Sequence, residues 1–271
     1  MVNRIGIMQG RLTAARGRGI QFFPAAEWQQ EFQAAKTAGL DEIEFIFDLE
    51  NYEANPLWTE QGRKEINSLS AATAVKVNYI CADYFMRSPL SKDNVEILKQ
   101  LIHAAKEIHA TGIEIPLVDN SSLKTEQDED LFVSALQEGL PTAQDQQIIL
   151  GLEMDYPPEK FLKLLQKINH PWVKANYDSG NSSGLGFDPE EEIMSYGQFI
   201  SNIHIKDRLL GDGTVEPGTG SADFEKLFRA LGKIKYSGSF ILQTARGPEG
   251  QELETIKRHA QFVKNLIAKY L

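Results

Sequence analysis

The chain has 271 residues, 42% of them hydrophobic and 24% charged, the composition of a soluble globular protein long enough to bury a large core. Its net charge of −10 argues against a nucleic-acid partner, because phosphate backbones demand a surplus of Lys and Arg. No apolar run approaches the roughly 20 residues that cross a bilayer. Residues 1–10, soon interrupted by Arg4 and Arg11, are too short for a signal peptide, and a lone Cys81 excludes an internal disulfide, so a cytoplasmic protein without a membrane partner is predicted.

Short apolar runs that end in polar residues alternate with stretches of helical periodicity. A strand at 4–8 precedes a helix near 25–38, and one at 42–47 precedes a helix near 60–73. The strands at 75–80 and 113–118 are followed by helices near 92–110 and 127–139. Strands at 148–153 and 173–178 lead to helices near 158–168 and 189–197. The last two strands, 200–206 and 239–243, lead to helices near 223–231 and 252–270. Asp188-Pro189 marks a helix start, and Gly39 and Gly112 mark helix stops. Eight such units predict a parallel sheet closed into a single (β/α)8 barrel, with 1–271 as one domain. An open doubly wound sheet is disfavoured because no Gly-rich phosphate loop follows the first strand.

Catalytic residues of a parallel barrel sit at the C-terminal ends of its strands. Side chains alternate faces along a strand, so Leu150 and Leu152 facing the helices leave Glu153 facing the axis. The same alternation turns Asp178 inward beside Ala175 and Tyr177, His204 between Ile203 and Ile205, and Gln243 beyond Phe240 and Leu242. Four polar side chains from four consecutive strands therefore converge at one depth. Imidazole with carboxylate and amide oxygens suits one divalent metal ion, Mn, Co, Zn or Mg. Two carboxylates side by side would repel one another without a cation. The bland alternative is that each is only a turn former or ion-pair partner.

These residues resemble the xylose isomerase-like barrels, the sugar phosphate isomerases and epimerases that also include endonuclease IV. The resemblance spans the whole chain. It is carried by Ile5-Gly6, by Gly39-Leu40-Asp41-Glu42-Ile43-Glu44, by the Glu153 strand, by Asp178-Ser179-Gly180-Asn181 and by His204-Ile205-Lys206-Asp207. It implies that Glu153, Asp178 and His204 hold the metal, with Glu153 also the catalytic base. In the family's epimerases a second glutamate at the end of strand eight is the fourth ligand and the second base. Here that position is Gln243, which can ligate through its carbonyl oxygen but cannot take up a proton at neutral pH. The resemblance implies a divalent-metal-dependent sugar or sugar-phosphate isomerase or epimerase that abstracts a proton beside a carbonyl, through an enediolate. Dehydration of a polyol or keto-acid, and a non-catalytic metabolite-binding barrel, are the alternatives that Gln243 keeps open. A nuclease is disfavoured by the acidic charge and by only five histidines.

Around this set, Lys206, Arg208, Arg246 and Gln9 are expected to bind substrate, with Arg11 beside Gln9 also in reach and loop 12–22 as a lid. The helix start after 216–221 is a second candidate for a phosphate. Tyr79, Asp83 and Tyr84 are candidates for the pocket wall, and Glu44, Arg4 and Lys174 for a buried structural cluster. His103, His109, His170 and His259 are expected to be ordinary. The expected partner is a small-molecule sugar or sugar phosphate, and barrels of this kind often form homo-oligomers through their helices.

Overall fold

The computed structural model describes residues 3–271; Met1 and Val2, part of the N-terminal stretch considered above, lie outside it. In chain order the elements are β1 (Arg4–Met8), α1 (Trp28–Ala38), β2 (Glu42–Ile46), α2 (Glu60–Thr73), β3 (Tyr79–Cys81), α3 (Tyr84–Arg87), α4 (Val95–Glu107), β4 (Gly112–Leu117), α5 (Glu126–Gln146) and β5 (Ile149–Met154). There follow α6 (Pro158–Ile168), β6 (Val173–Asp178), α7 (Ser179–Leu185), α8 (Pro189–Tyr196), β7 (Ile200–Ile205), β8 (Asp207–Arg208), β9 (Thr214–Val215), α9 (Phe224–Lys233), β10 (Ser239–Leu242) and α10 (Glu252–Tyr270). Eight strands close into a parallel barrel in the order β1-β10-β7-β6-β5-β4-β3-β2, while β8 and β9 form a separate ribbon over its mouth. The chain is thus the single (β/α)8 barrel that its alternation predicts. Among the described residues no helix is long and apolar enough to cross a membrane.

The strand alternation sorts the core into two parts. Outward side chains such as Ile43, Phe45, Leu150, Leu152, Ile203 and Phe240 join the helices in one buried cluster. Inside the barrel the apolar content shrinks to Met8, Ile46, Cys81 and Ile241. The rest of the interior is polar: Glu42, Glu44, Glu114, Asn176 and Asn202 are all buried. Most of such a buried polar layer must be hydrogen-bonded, although Glu42 Oε1, Glu114 Oε1 and Asn202 Oδ1 find no partner among the described residues. Asn78 accordingly bonds Glu42, and Asn202 donates to Glu44 at 2.8 Å and to Asn176 at 2.9 Å.

Four local expectations are corrected. The third strand is ladder-paired only over Tyr79–Cys81; Val75 and Val77 pack outward on an extended approach held by a single bridge from Lys76 to Glu42. α5 does not stop at 139 but runs through Pro141 to Gln146, because Gly139 lets it lie against Leu98 of α4 and burial overrides the breaker signals. Gly112 opens β4 rather than ending a helix; α4 stops at Glu107, with His109 in the left-handed region at φ 62°. Of the expected buried cluster only Glu44 is buried, beside Glu42; Arg4 is half exposed and pairs with Glu42 at 3.2 Å, and Lys174 lies near the Phe199 ring.

Candidate active site

The C-terminal ends of β5, β6 and β7 lie side by side, with Asp178 paired to His204 across the β6–β7 ladder. Glu153, Asp178 and His204 are buried there, and one ligand atom from each lies within 4.8 Å of the others. Asp178 also caps α7, accepting from the Gly180 and Asn181 N–H groups at 2.8 and 2.9 Å. That cap explains a helix of weak formers, Ser179-Gly180-Asn181-Ser182-Ser183-Gly184-Leu185, which periodicity does not reveal. Gly180 is required, since a Cβ there would lie 2.4 Å from the Lys206 Cγ.

His204 spans two layers. Its Nε2 lies 3.1 Å from Glu44 Oε1 in the polar interior, and its Nδ1 lies 3.0 Å from Glu153 Oε2 at the mouth. Burial alone would lower the imidazole's pKa, but Glu44 and Glu153 drive it well above the ordinary value. Asn176 donates to Glu153 Oε2 at 2.8 Å and Asn181 to Glu153 Oε1 at 2.6 Å, so both oxygens of that carboxylate are oriented. Burial likewise favours a protonated Asp178, yet Lys206, His204 and the Asn181 N–H hold it below the ordinary carboxyl value. The Lys206 ammonium donates to Asp178 Oδ2 at 3.0 Å, to Asn181 Oδ1 at 3.0 Å and to Gln243 Oε1 at 3.1 Å.

This donor set fits a divalent ion. Two carboxylates and an imidazole nitrogen converge, and the imidazole's far nitrogen is held by a carboxylate, the arrangement that orients a histidine toward a metal. The pull of the site on positive charge is visible in Lys206, drawn onto Asp178 and Gln243 together. Glu44, expected to be structural, is the residue that holds His204. Asn176 sits in the inward phase of β6 between Lys174 and Asp178, a signal that the alternation carried and that singled out only Asp178.

The site opens into a cavity of about 420 Å³ whose walls include Arg11, Gln21, Asp83, Glu153, Asn181, Lys206, Arg208, Thr214 and Gln243. Of the expected substrate residues, Lys206 and Arg208 line it. Arg246 and Gln9 do not. The Arg246 guanidinium donates to the carbonyls of Gly10, Thr13 and Ile20, so it straps down the loop between β1 and α1. Gln9 continues the outward phase of Ile5 and Ile7, and its Oε1 accepts from the Ile46 N–H at 2.9 Å. Arg11, expected with Gln9 to reach a substrate, does line the cavity: 3% exposed, it donates to the Thr244 and Ile20 carbonyls, and burial pulls its pKa down to about 9. The expected phosphate nest at 216–221 is filled from within, because the Asp207 carboxylate accepts from the N–H groups of Gly218, Gly220 and Ala222 at 2.8, 2.8 and 3.0 Å.

The family model described as "Xylose isomerase-like TIM barrel" matches residues 32–266. L-ribulose-5-phosphate 3-epimerase UlaE of Salmonella paratyphi A is 28% identical over 269 residues, which cover 91% of this chain and 92% of that protein. Among solved structures, D-allulose 3-epimerase from Methylomonas sp. superposes with a TM-score of 0.75 at 16% identity, covering 98% of each chain. The IOLI protein with a bound zinc atom gives a TM-score of 0.76 at 16% identity, covering 99% of each chain. At these identities the two structures speak for the fold.

Proposed function

The chain belongs to the xylose isomerase-like TIM barrel family, and from that premise we propose that it is a divalent-metal-dependent epimerase of a ketopentose phosphate, with L-ribulose 5-phosphate as the substrate to test first. One observation carries the proposal. Glu153, Asp178 and His204 present ligand atoms within 4.8 Å of one another, and Glu153 lines a cavity that also presents the cations Arg11, Lys206 and Arg208. A curated relative acting on a sugar phosphate supports the substrate class.

The proposed ligands are Glu153, Asp178, His204 Nδ1 and the Gln243 carbonyl oxygen. A bound divalent ion would supply Lewis-acid stabilisation of the oxyanion charge that develops as a proton leaves carbon beside a carbonyl. Glu153 is the proposed base. Its Oε2 is turned to Asn176 and His204, and its Oε1 lies beside Asn181, itself part of the cavity wall. Fixing both oxygens holds the base at one angle to the substrate and removes the reorientation that a free carboxylate would need. Arg11 and Arg208 are suited to the phosphate: each presents a forked donor to the cavity, and the buried Arg11 charge has neutral carbonyls as its hydrogen-bond partners. Lys206 has a second use once it leaves Asp178 and Gln243, as a donor to a substrate oxygen.

The test is incubation of the protein with Mn²⁺ and L-ribulose 5-phosphate in deuterated water, followed by NMR. Deuterium should enter at C3 and L-xylulose 5-phosphate should form, both abolished by a chelator. Binding of the sugar phosphate with every C–H bond retained would leave a metabolite-binding barrel, and loss of water from the substrate would point to a dehydratase.

A further inference from the structure

We propose that Asp83 is the second acid/base of this site, delivering the proton that Gln243 cannot. The proposal rests on the epimerase reading above and identifies the missing half of its chemistry.

Three features place Asp83 in that role. It continues the inward phase of Tyr79 and Cys81 on β3 and lines the same cavity as Glu153 and Gln243, so the two carboxyls enter from different walls, β3 and β5. Its hydrogen-bond partner is a side chain of the loop over the mouth rather than a structural partner below. Gln21 Nε2 donates to Asp83 Oδ1 at 3.2 Å, and Gln21 Oε1 accepts from Gln243 Nε2 at 2.9 Å. One bridging amide therefore separates Asp83 from the position where a second base would otherwise stand, and a substrate hydroxyl that replaces Gln21 meets both. Finally, burial raises the Asp83 pKa to about 6, against the Gln21 hydrogen bond, with Asp48 and Glu153 among the facing charges also raising it and Arg11 lowering it. A carboxyl so placed can hold a proton near neutrality, as an acid catalyst must.

The step balances without any further reactant. The Glu153 carboxylate takes the C3 proton, and the electrons of the C–H bond remain on the substrate as the enediolate. The Asp83 carboxylic acid gives its proton to the opposite face of C3, which inverts that carbon. Glu153 is then protonated and Asp83 ionised, and each returns to its starting state by exchanging a proton with water.

Two proton donors on opposite faces make exchange and inversion separable. In the Mn²⁺-loaded Asp83→Asn protein, deuterium should still enter C3 of recovered L-ribulose 5-phosphate through Glu153, while formation of L-xylulose 5-phosphate falls by about 10²-fold or more. Mn²⁺ affinity, read by calorimetry, should stay at the unsubstituted value. Asp83→Glu, which keeps an acid but shifts it by one methylene, should lower the ratio of inversion to exchange less. An unchanged ratio in both variants overturns the assignment, and so does an equal fall of exchange and inversion. Absence of exchange in the unsubstituted protein would instead remove the epimerase reading itself, and this inference with it.

Discussion

The two sides of the barrel mouth use the same kinds of side chain to opposite ends. On the arc from β5 to β7, polar groups stand on strands in register, and their free atoms are turned to one another: Glu153 to His204, Asp178 to Lys206, Asn176 to both Glu153 and His204. On the arc from β10 to β1, polar groups stand beyond strand ends or out of phase, and the backbone takes up much of their capacity. Arg246 gives its donors to three loop carbonyls, and Glu31 of α1 accepts from the Gly10 and Leu12 N–H groups and the Thr13 hydroxyl. A long loop crossing a barrel mouth leaves many backbone groups to satisfy, and side chains near it are spent on that need. On the proposed reading the first arc carries three of the four ligands and the base, while the second, apart from Gln243 and Arg11, mainly holds the loop that covers the site.

The largest effect should come from the first arc. Glu153→Gln keeps the shape and the Asn181 contact but removes the proposed base, so deuterium exchange at the substrate carbon should fall by about 10²–10⁴-fold, with the circular dichroism spectrum unchanged. Exchange that survives at the unsubstituted rate would move the chemistry away from this arc and make the contrast empty.

The contrast also explains how far the residues could be read in advance. Alternation along a strand is a strict period of two, and it places Glu153, Asp178, His204 and Gln243 inward without reference to the rest of the chain. The same rule, applied to β1, excludes Gln9 from the cavity, because Gly6 and Met8 hold the inward phase there; an inspection of strand ends by residue type alone does not register it. The hydrogen-bond partners of Arg246 and Arg11 are hidden from the sequence for a different reason. Their surroundings are the carbonyls of residues 10–20 and 244, brought together only when the barrel closes β1 against β10. Asp207 likewise fills a nest made by a loop about ten residues later in the chain, a pairing to which strand periodicity is blind. α5 shows the converse case, in which Gly139 and Pro141 argue locally for a stop and tertiary packing overrules them.

A smaller effect probes how deep the first arc extends. Glu44 lies beneath the proposed ligands and touches them through His204 alone at Nε2, where it fixes the ring. Glu44→Gln should lower Mn²⁺ affinity by about 10–100-fold in a competition titration, the usual cost of removing a partner behind a metal-binding histidine. Unaltered affinity would confine the functional layer to the mouth and return Glu44 to a packing role.

The smallest effect belongs to the second arc and concerns stability. Burial raises the Glu31 carboxyl from 4.5 to about 7, against the hydrogen bonds from Gly10, Thr13 and Leu12 that favour its charged form. Its pKa in the folded chain thus exceeds the unfolded value, and the folded state binds the extra proton between about pH 4.5 and 7. Stability from this linkage is complete below the lower value and is lost as pH rises through the upper one. Glu31→Gln cannot titrate, and its amide presents a donor where the loop already supplies donors, so about 1–3 kcal/mol should be lost near neutrality. The melting temperature of the unsubstituted protein minus that of the variant should therefore be larger at pH 5 than at pH 7.5. Catalysis should respond less, because the variant loosens the loop anchor while Glu153, Asp178 and His204 on the opposite arc keep their partners. A difference in melting temperature that is flat with pH would mean that Glu31 stays charged in the fold and anchors the loop by its hydrogen bonds alone.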